Sequence, residues 1–275
     1  MTHSLLISNS LIGSLLGQTM ALIGSAGVND TVFCTSDKTY SIKKVETSNT
    51  VYIVPKSTSN EYKVSAQCKE YYELKMIPAK ISRVSELLKN TEYNGIEHEA
   101  SIDTNLLLTP QELREQIQAS DIEYANAIKS LGVVKLNDKM RIINSVVIRE
   151  LIRYVCDTIM ENSWDINHLS FHQLYSKMNE VNESLLLHTL SLVGEKQNSS
   201  SDDNQAFWVL NRSLLATQTA RYIFETEDCP NGKYWVLDDF MSLLAMKTPG
   251  SGSFPDDILD GIASVDNKKQ LKYLR

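Results

Sequence analysis

TPQELREQIQASDIEYANAIKSLGVVKLNDKMRII, residues 109–143, decides how the second part of this chain is built. Thr109-Pro110-Gln111-Glu112 opens a helix. Threonine serves as N-cap, proline fills a first-turn position that has no N–H to satisfy, and the glutamate can reach back to the cap. Leu113 and Ile117 then share one face, which is expected to be buried. Ser120-Asp121-Ile122-Glu123 repeats the capping box, so a second helix is predicted through Ala127 and Ile128 to Leu131, with Gly132 ending it. Val133 to Leu136, a turn at Asn137-Asp138, and Met140 to Ile143 read as a hairpin. Helix, turn, helix, hairpin is the order of elements in a winged helix.

The same order recurs downstream. Ser170 to Met178 reads as a helix, and Asn182-Glu183 caps another through Leu185, Leu186, His188, Leu190 and Val193. Gly194 to Gln205 is polar and Ser-rich, a wing tip or loop, and Trp208 to Leu210 and the segment to Phe224 follow. A third round begins at Tyr234. Leu237-Asp238-Asp239-Phe240 opens one helix and Pro255-Asp256-Asp257 another, the latter carrying Ile258, Leu259 and Ile262. Gln270 to Leu274 reads as a strand. Units starting near 109, 170 and 238 predict tandem winged-helix domains over 101–165, 166–230 and 231–275, the last of them short.

Residues 1–100 follow a different pattern. Thr31-Val32-Phe33-Cys34-Thr35, a turn at Asp37-Lys38, the alternating Thr39 to Val45, a second turn at Ser48-Asn49, and Thr50 to Val54 read as a three-stranded meander. Val64 to Met76 is a further strand, and Ser82 to Lys89 a helix with Val84, Leu87 and Leu88 on one face. The fold class expected is therefore α+β, a small antiparallel β-barrel or sandwich over 1–100 followed by helical units. A small sheet must pair or cover its edges, so a partner strand is expected. The acidic, turn-rich stretch from Thr91 to Asp103 places the boundary near Ser101.

Composition excludes several classes. With 42% hydrophobic and 22% charged residues, the chain is neither disordered nor collagen-like. Four scattered cysteines, Cys34, Cys68, Cys156 and Cys229, form no Cys-x-x-Cys pair and suit a reducing compartment. The Leu/Ile-rich stretch from Leu5 to Val28 lacks a basic leader and is broken by polar residues, so it reads as packed helix or strand rather than a secretory signal. No apolar run is long enough for a membrane span.

No catalytic constellation emerges, and an enzyme is not expected. His168 and His172 stand one helical turn apart, but without the third ligand a zinc site needs. Gly13, Gly17, Gly24 and Gly27 fit no phosphate-loop spacing and read as turn glycines, so no nucleotide or other cofactor is expected. Pro249-Gly250-Ser251-Gly252-Ser253 is not a nucleophile elbow and reads as a flexible connector. Asp202-Asp203, Asp238-Asp239 and Asp256-Asp257 sit at loops or helix starts, where they complement the helix dipole.

Charge bears on whether the helical units bind DNA. Residues 1–100 carry ten Lys and Arg against ten Asp and Glu; residues 101–275 carry seventeen against twenty-four, so the whole net charge of −7 falls there. The second helices of the first two units lack the concentrated positive charge that phosphates need. Only Lys268, Lys269, Lys272 and Arg275 cluster, and they are the candidate DNA contacts. On these features alone a free-standing winged-helix DNA-binding regulator remains an alternative to a protein-interaction subunit.

Three stretches carry a family resemblance: Val32 to Tyr40 with Glu46-Thr47-Ser48-Asn49-Thr50; Tyr72-Glu73-Leu74 leading through Arg83, Leu87 and Leu88 to Tyr93-Asn94-Gly95 and Glu97-His98-Glu99; and Leu107 to Ile143. They resemble the Dcc family of sister chromatid cohesion proteins. The resemblance extends over essentially the whole chain, strongest over 30–145. It implies a nuclear, non-catalytic subunit of an alternative clamp loader acting in DNA replication. The N-terminal β domain would complete a composite barrel with the small subunit and the tail of the large subunit. The assembly would dock onto DNA polymerase epsilon and act on the sliding clamp, with ATP hydrolysis left to other subunits. One departure is expected: relatives continue past the position of Leu274 with another helical segment and a basic tail, where this sequence ends at Arg275. On this reading Thr39, Tyr40, Ile42, Thr50, Val51 and Ile53 are the expected partner-binding residues, through strand pairing.

Overall fold

β-branched and aromatic residues concentrate in the first part of the chain, and a sheet forms there. The computed structural model describes residues 5–6, 20–25, 28–54, 63–197, 207–229 and 234–274. Among them the strands β1 (Leu5–Leu6), β2 (Ala21–Ser25), β3 (Val28–Cys34), β4 (Thr39–Ile53) and β5 (Ala66–Met76) lie side by side in the order β1-β5-β4-β3-β2. Neighbours are antiparallel except β1, which runs parallel to β5. The Asp37-Lys38 turn forms as expected, closed by the Thr35 N–H on the Lys38 carbonyl at 2.9 Å.

The turn expected at Ser48-Asn49 does not form, because β4 runs straight through it. The ladder slips there instead: Glu46 faces Glu70, and the next registered pair is Val51 with Cys68. A Ser-Asn pair without Gly or Pro only weakly favours reversal, and β5 offers a continuous partner, so the surplus residues are taken up as an irregularity within the strand. The two strands read on either side of it are one. Gly24 also lies in a strand, at the irregularity between Ile23 and Ser25, and not in a turn. Gly13, Gly17 and Gly27 lie outside the described residues.

Among the described residues three α-helices also belong to this unit, which comprises Met1–Asn90 with Asn105–Val133. α1 (Ser82–Leu88) buries Val84 and Leu88. α2 (Pro110–Glu115) and α3 (Asp121–Ser130) each begin with the full reciprocal capping box. Leu113 and Ile117 are wholly buried, as their spacing requires. Arg114 staples the link between the two helices. It donates to the Ile117 and Ala119 carbonyls at 3.0 Å each, pairs with Asp121 at 2.9 Å, and lies over the Tyr124 ring.

The second unit comprises Thr91–Thr104 with Val134–Arg275. The strands β6 (Val133–Leu136) and β7 (Lys139–Ile142) form the expected hairpin. Asn137 and Asp138 both adopt positive φ, 46° and 63°, as a two-residue primed turn demands. The longest helix follows, α4 (Ser145–Glu161), which the sequence reading passed over. Its signal was present: an Asn144 cap, then Ile148, Ile152, Val155 and Ile159 on one buried stripe.

β8 (Leu169–Ser170), α5 (Phe171–Lys177) and α6 (Glu183–Val193) come next, the two helices capped by Ser170 and Asn182. The polar stretch read as a loop from Gly194 begins as a strand, β9 (Gly194–Gln197), paired with β10 (Phe207–Leu210). Its continuation over 198–206 lies outside the described residues. α7 (Arg212–Thr226), β11 (Trp235–Val236), α8 (Leu237–Lys247), β12 (Ala263–Val265) and β13 (Gln270–Tyr273) complete the chain, with the last sheet ordered β11-β13-β12.

The helix expected after Pro255 is replaced by tight turns. The N–H groups of Ile258, Asp260 and Ile262 bond to the carbonyls of Pro255, Asp257 and Leu259, and Gly261 has φ 69°. Ile258, Leu259 and Ile262 are nonetheless buried, so the apolar spacing was read correctly and the backbone that delivers it was not. Nor is the Gly250 loop a loose connector. A Cβ at Gly250 would meet Ile166 Cδ1 at 2.8 Å, and Arg212 reaches across to the Gly252 carbonyl at 2.7 Å.

Two apolar clusters hold this unit together. One joins α4, α5 and α6 through residues such as Ile152, Leu174, Leu186 and Leu190; the other gathers Ala220, Phe240, Leu244, Ile262 and Leu271. The architecture is thus α+β: an N-terminal, largely antiparallel sheet followed by helices and small sheets.

Candidate functional site

Residues paired across a ladder share a face of the sheet, so the register sorts the expected partner-binding residues into two groups. One row crosses four strands: Leu22, Phe33, Tyr40 and Met76. Phe33 and Tyr40 meet edge to face at 6.2 Å and are buried, with Ile42 and Leu74 of the next row packed against them. The ends of the row are open: Leu22 is 63% exposed and Met76 62%. This row is apolar from end to end yet uncovered at both ends by the described residues, while further along the same face Lys44 pairs with Glu46 and Glu70.

On the opposite face the helices of the same unit cover the end of the sheet around Cys34 and Thr39, while Lys43 and Lys75 stay exposed. Thr39 is buried and donates to Glu123 Oε2 at 2.6 Å, while accepting from the Ser120 N–H at 3.0 Å. Ser120 Oγ donates to the same carboxylate oxygen at 2.7 Å. The Ile122 N–H bonds to the Ser36 carbonyl at 3.1 Å. Cys34 lies beside Thr39, 3.7 Å from Sγ to Oγ1, and burial pushes its thiol above the ordinary range. The α3 capping box therefore does two jobs: it starts the helix and seats it on the end of β4.

Of the six residues expected to meet a partner, Thr39 and Tyr40 lie where β4 is flanked on both sides, by β3 and β5. Ile42 is half-buried beside Tyr40. Thr50 is in the irregular stretch before Val51, which is registered with Cys68. Ile53 is 40% exposed and its neighbour Tyr52 57%. The β3–β4 ladder stops at Ser41, so from Ile42 onward β4 is laddered among the described strands to β5 alone. The open apolar positions, Leu22 and Met76, were missed by the sequence reading. Their signal was cross-strand register, which the sequence does not print.

The four candidate DNA contacts are dispersed in environment. Lys268 and Lys272 are exposed, at the turn before β13 and within it. Lys269 has φ 58° and its ammonium binds Asp238 at 3.1 Å. Arg275 lies outside the described residues. The His168 ring lies 4.2 Å from that of Phe207, tilted by 35°. Among the described residues no group of His, Cys, Asp or Glu is placed to hold a metal ion. None of the described helices is long and apolar enough to cross a membrane.

The sheet is thus seated on its own helices at one end, and one cross-strand row ends in exposed apolar side chains. Comparison with known proteins gives the lineage. The profile of the sister chromatid cohesion protein Dcc1 family matches residues 5–275. The chain is 24% identical over 250 residues to human sister chromatid cohesion protein DCC1 and 22% over 249 to that of Xenopus tropicalis. Each alignment covers 86% of this chain and 62% of the relative. A probable DCC1 of Dictyostelium discoideum is 23% identical over 175 residues, covering 63% of this chain and 45% of the relative. The chain belongs to the Dcc1 family of sister chromatid cohesion proteins, a family with no known catalytic activity. It spans less than two thirds of the length of these relatives.

Proposed function

We propose that this chain is a non-catalytic structural subunit of an alternative clamp loader, working in the nucleus in sister chromatid cohesion and DNA replication. In this reading the N-terminal sheet is completed by strands from the loader's small subunit and the tail of its large subunit. The segments 101–165, 166–230 and 231–275 act as winged-helix units that carry the assembly to DNA polymerase epsilon and so support sliding-clamp loading and unloading.

The observation that carries this reading is the unfinished sheet. Leu22, Ile53 and Met76 are exposed apolar side chains at its margins, and the outer part of β4 is laddered, among the described strands, along one edge. Such a surface is a template for strand addition. Family membership supports the same reading. Co-expression with the small subunit and the large-subunit tail, followed by light scattering after size exclusion, tests it. A 1:1:1 complex is expected, lost on Leu22→Asp or Ile53→Asp while the variants keep the far-ultraviolet dichroism of the parent. A chain that stays monomeric beside both partners rejects the proposal.

The exposed Lys268 and Lys272 favour one addition, contact with DNA phosphates. Duplex affinity should then fall steeply with salt and drop further in Lys268→Ala/Lys272→Ala. Binding to duplex without binding to loader subunits would instead point to a free-standing DNA-binding regulator.

A further inference from the structure

Tyr93-Asn94-Gly95 and Glu97-His98-Glu99 take no part in the function proposed above, yet the second unit holds them firmly. At one end Tyr93 is bridged to the hairpin: its N–H donates to the Ile142 carbonyl at 2.8 Å, and its carbonyl accepts from Asn144 at 3.0 Å. At the other, Arg141 grips Glu99 with both arms, Nη1 to Oε2 at 3.0 Å and Nη2 to Oε1 at 2.9 Å. The guanidinium is 2% exposed and also reaches the Thr91 and Glu92 carbonyls. Between the anchors Gly95 adopts φ 98° and ψ 163°, a conformation open essentially to glycine alone. The 3-10 helix that follows, Ile96–Ser101, buries none of its residues.

The result is a fixed ledge that holds an isoleucine in water. Ile96 is 78% exposed, the most exposed large apolar side chain among the described residues. It lines an open groove of about 560 Å³ with Glu97, His98, Val146, Val147 and Glu150, the last three from the start of α4. Val146 is 46% exposed. Neither Glu97 nor Glu150 is in an ion pair with a described residue, whereas the nearby Glu99 is neutralised by Arg141. Ile96, Val146 and Val147 form an apolar strip in this otherwise polar groove, and a strip bounded by two carboxylates without an ion-pair partner among the described residues suits an apolar side chain flanked by positive charge.

We propose that this groove docks a short peptide segment of a protein partner, carrying Leu, Ile or Met next to Lys or Arg. A nucleic acid backbone would be repelled by the same two carboxylates. The groove is built from residues of the second unit and the sheet proposed to bind loader subunits from the first, so either reading can fail without the other.

The test uses the full chain and an arrayed library of acetylated peptides about ten residues long, enough to span a groove of this class. Enrichment of apolar residues beside Lys or Arg is expected. The best peptide, fluorescein-labelled, is then titrated by anisotropy. Glu97→Lys/Glu150→Lys and Ile96→Ser should each weaken it by about tenfold, and Glu150→Gln by about threefold. All three substitutions lie at the surface, and each is read only if its melting temperature matches the parent. Glu195→Lys/Glu183→Lys, an equal charge change elsewhere, should leave the affinity unchanged. Enrichment of acidic peptides, no charge signature, self-association through this face, or equal weakening by both charge reversals would overturn the proposal.

Discussion

Arg141 illustrates how a single side chain here does the work of several contacts. It is buried, bidentate to Glu99 and bonded to two backbone carbonyls, so removing its partner leaves a charge with no water to turn to. Glu99→Gln should lower stability by about 2–3 kcal/mol, somewhat below the usual range for a broken buried pair because the carboxylate is partly exposed; urea unfolding measures it. Burial pushes the Cys156 thiol up to about 12, so it is essentially all thiol at neutral pH. It should resist Ellman's reagent in the folded chain and react on unfolding, whereas the less buried Cys229 should react before it. His188 is half-buried in α6, and burial holds its imidazole below the ordinary value of 6.5. As pH falls the unfolded chain takes up that proton before the folded one. The stability linked to neutral His188 is therefore complete above about pH 6.5 and is lost as pH drops through the lower folded-state value. Urea midpoints measured across that window should fall less steeply for His188→Gln than for the parent.

At the scale of elements, caps and primed turns were legible because they act over a few residues. Thr109, Ser120, Asn182 and the Asn137-Asp138 turn all behave as their chemistry predicts. Ser48-Asn49 did not, because whether a polar pair reverses the chain or bulges within a strand depends on the strand alongside it. The Pro255 segment failed for a related reason: its apolar spacing suits a helix, but short turns deliver the same three side chains to the core. Gly194 shows a constraint that spacing cannot reveal. A Cβ there would lie 2.6 Å from the Val209 carbonyl oxygen, so Gly194→Ala should part β9 from β10 and cost about 1–3 kcal/mol, read as a lower melting temperature. Thr39→Val keeps the shape of Thr39 but removes one donor to the Glu123 carboxylate and one of the two acceptors of the Ser120 N–H, which keeps Glu123 Oε2 at 3.1 Å. A loss of about 1–3 kcal/mol is expected.

At the scale of the whole molecule, the two compact units interleave along the chain, since Thr91–Thr104 belongs to the second and Asn105–Val133 to the first. The composition change near Ser101 thus falls inside a segment of the second unit. A fragment ending at residue 100 would lack α2 and α3, leaving Thr39 and Cys34 without the helices that cover them. It should aggregate, whereas a fragment ending at residue 133 should give a dispersed amide spectrum by NMR.

The sequence by itself determined the α+β class, the capped helix pair, the hairpin after it, most later helices, and the lack of any recognisable catalytic motif. Each rests on interactions spanning a handful of residues, or on periodicity that a linear reading can see. Only the tertiary structure decided which side chains share a sheet face, which strand continues through a polar stretch, that Thr39 is tied to Glu123 and that Ile96 is held in water beside Glu97 and Glu150. Those facts come from register and long-range closure, where residues far apart in the chain become neighbours and a slip of one position would reverse every face.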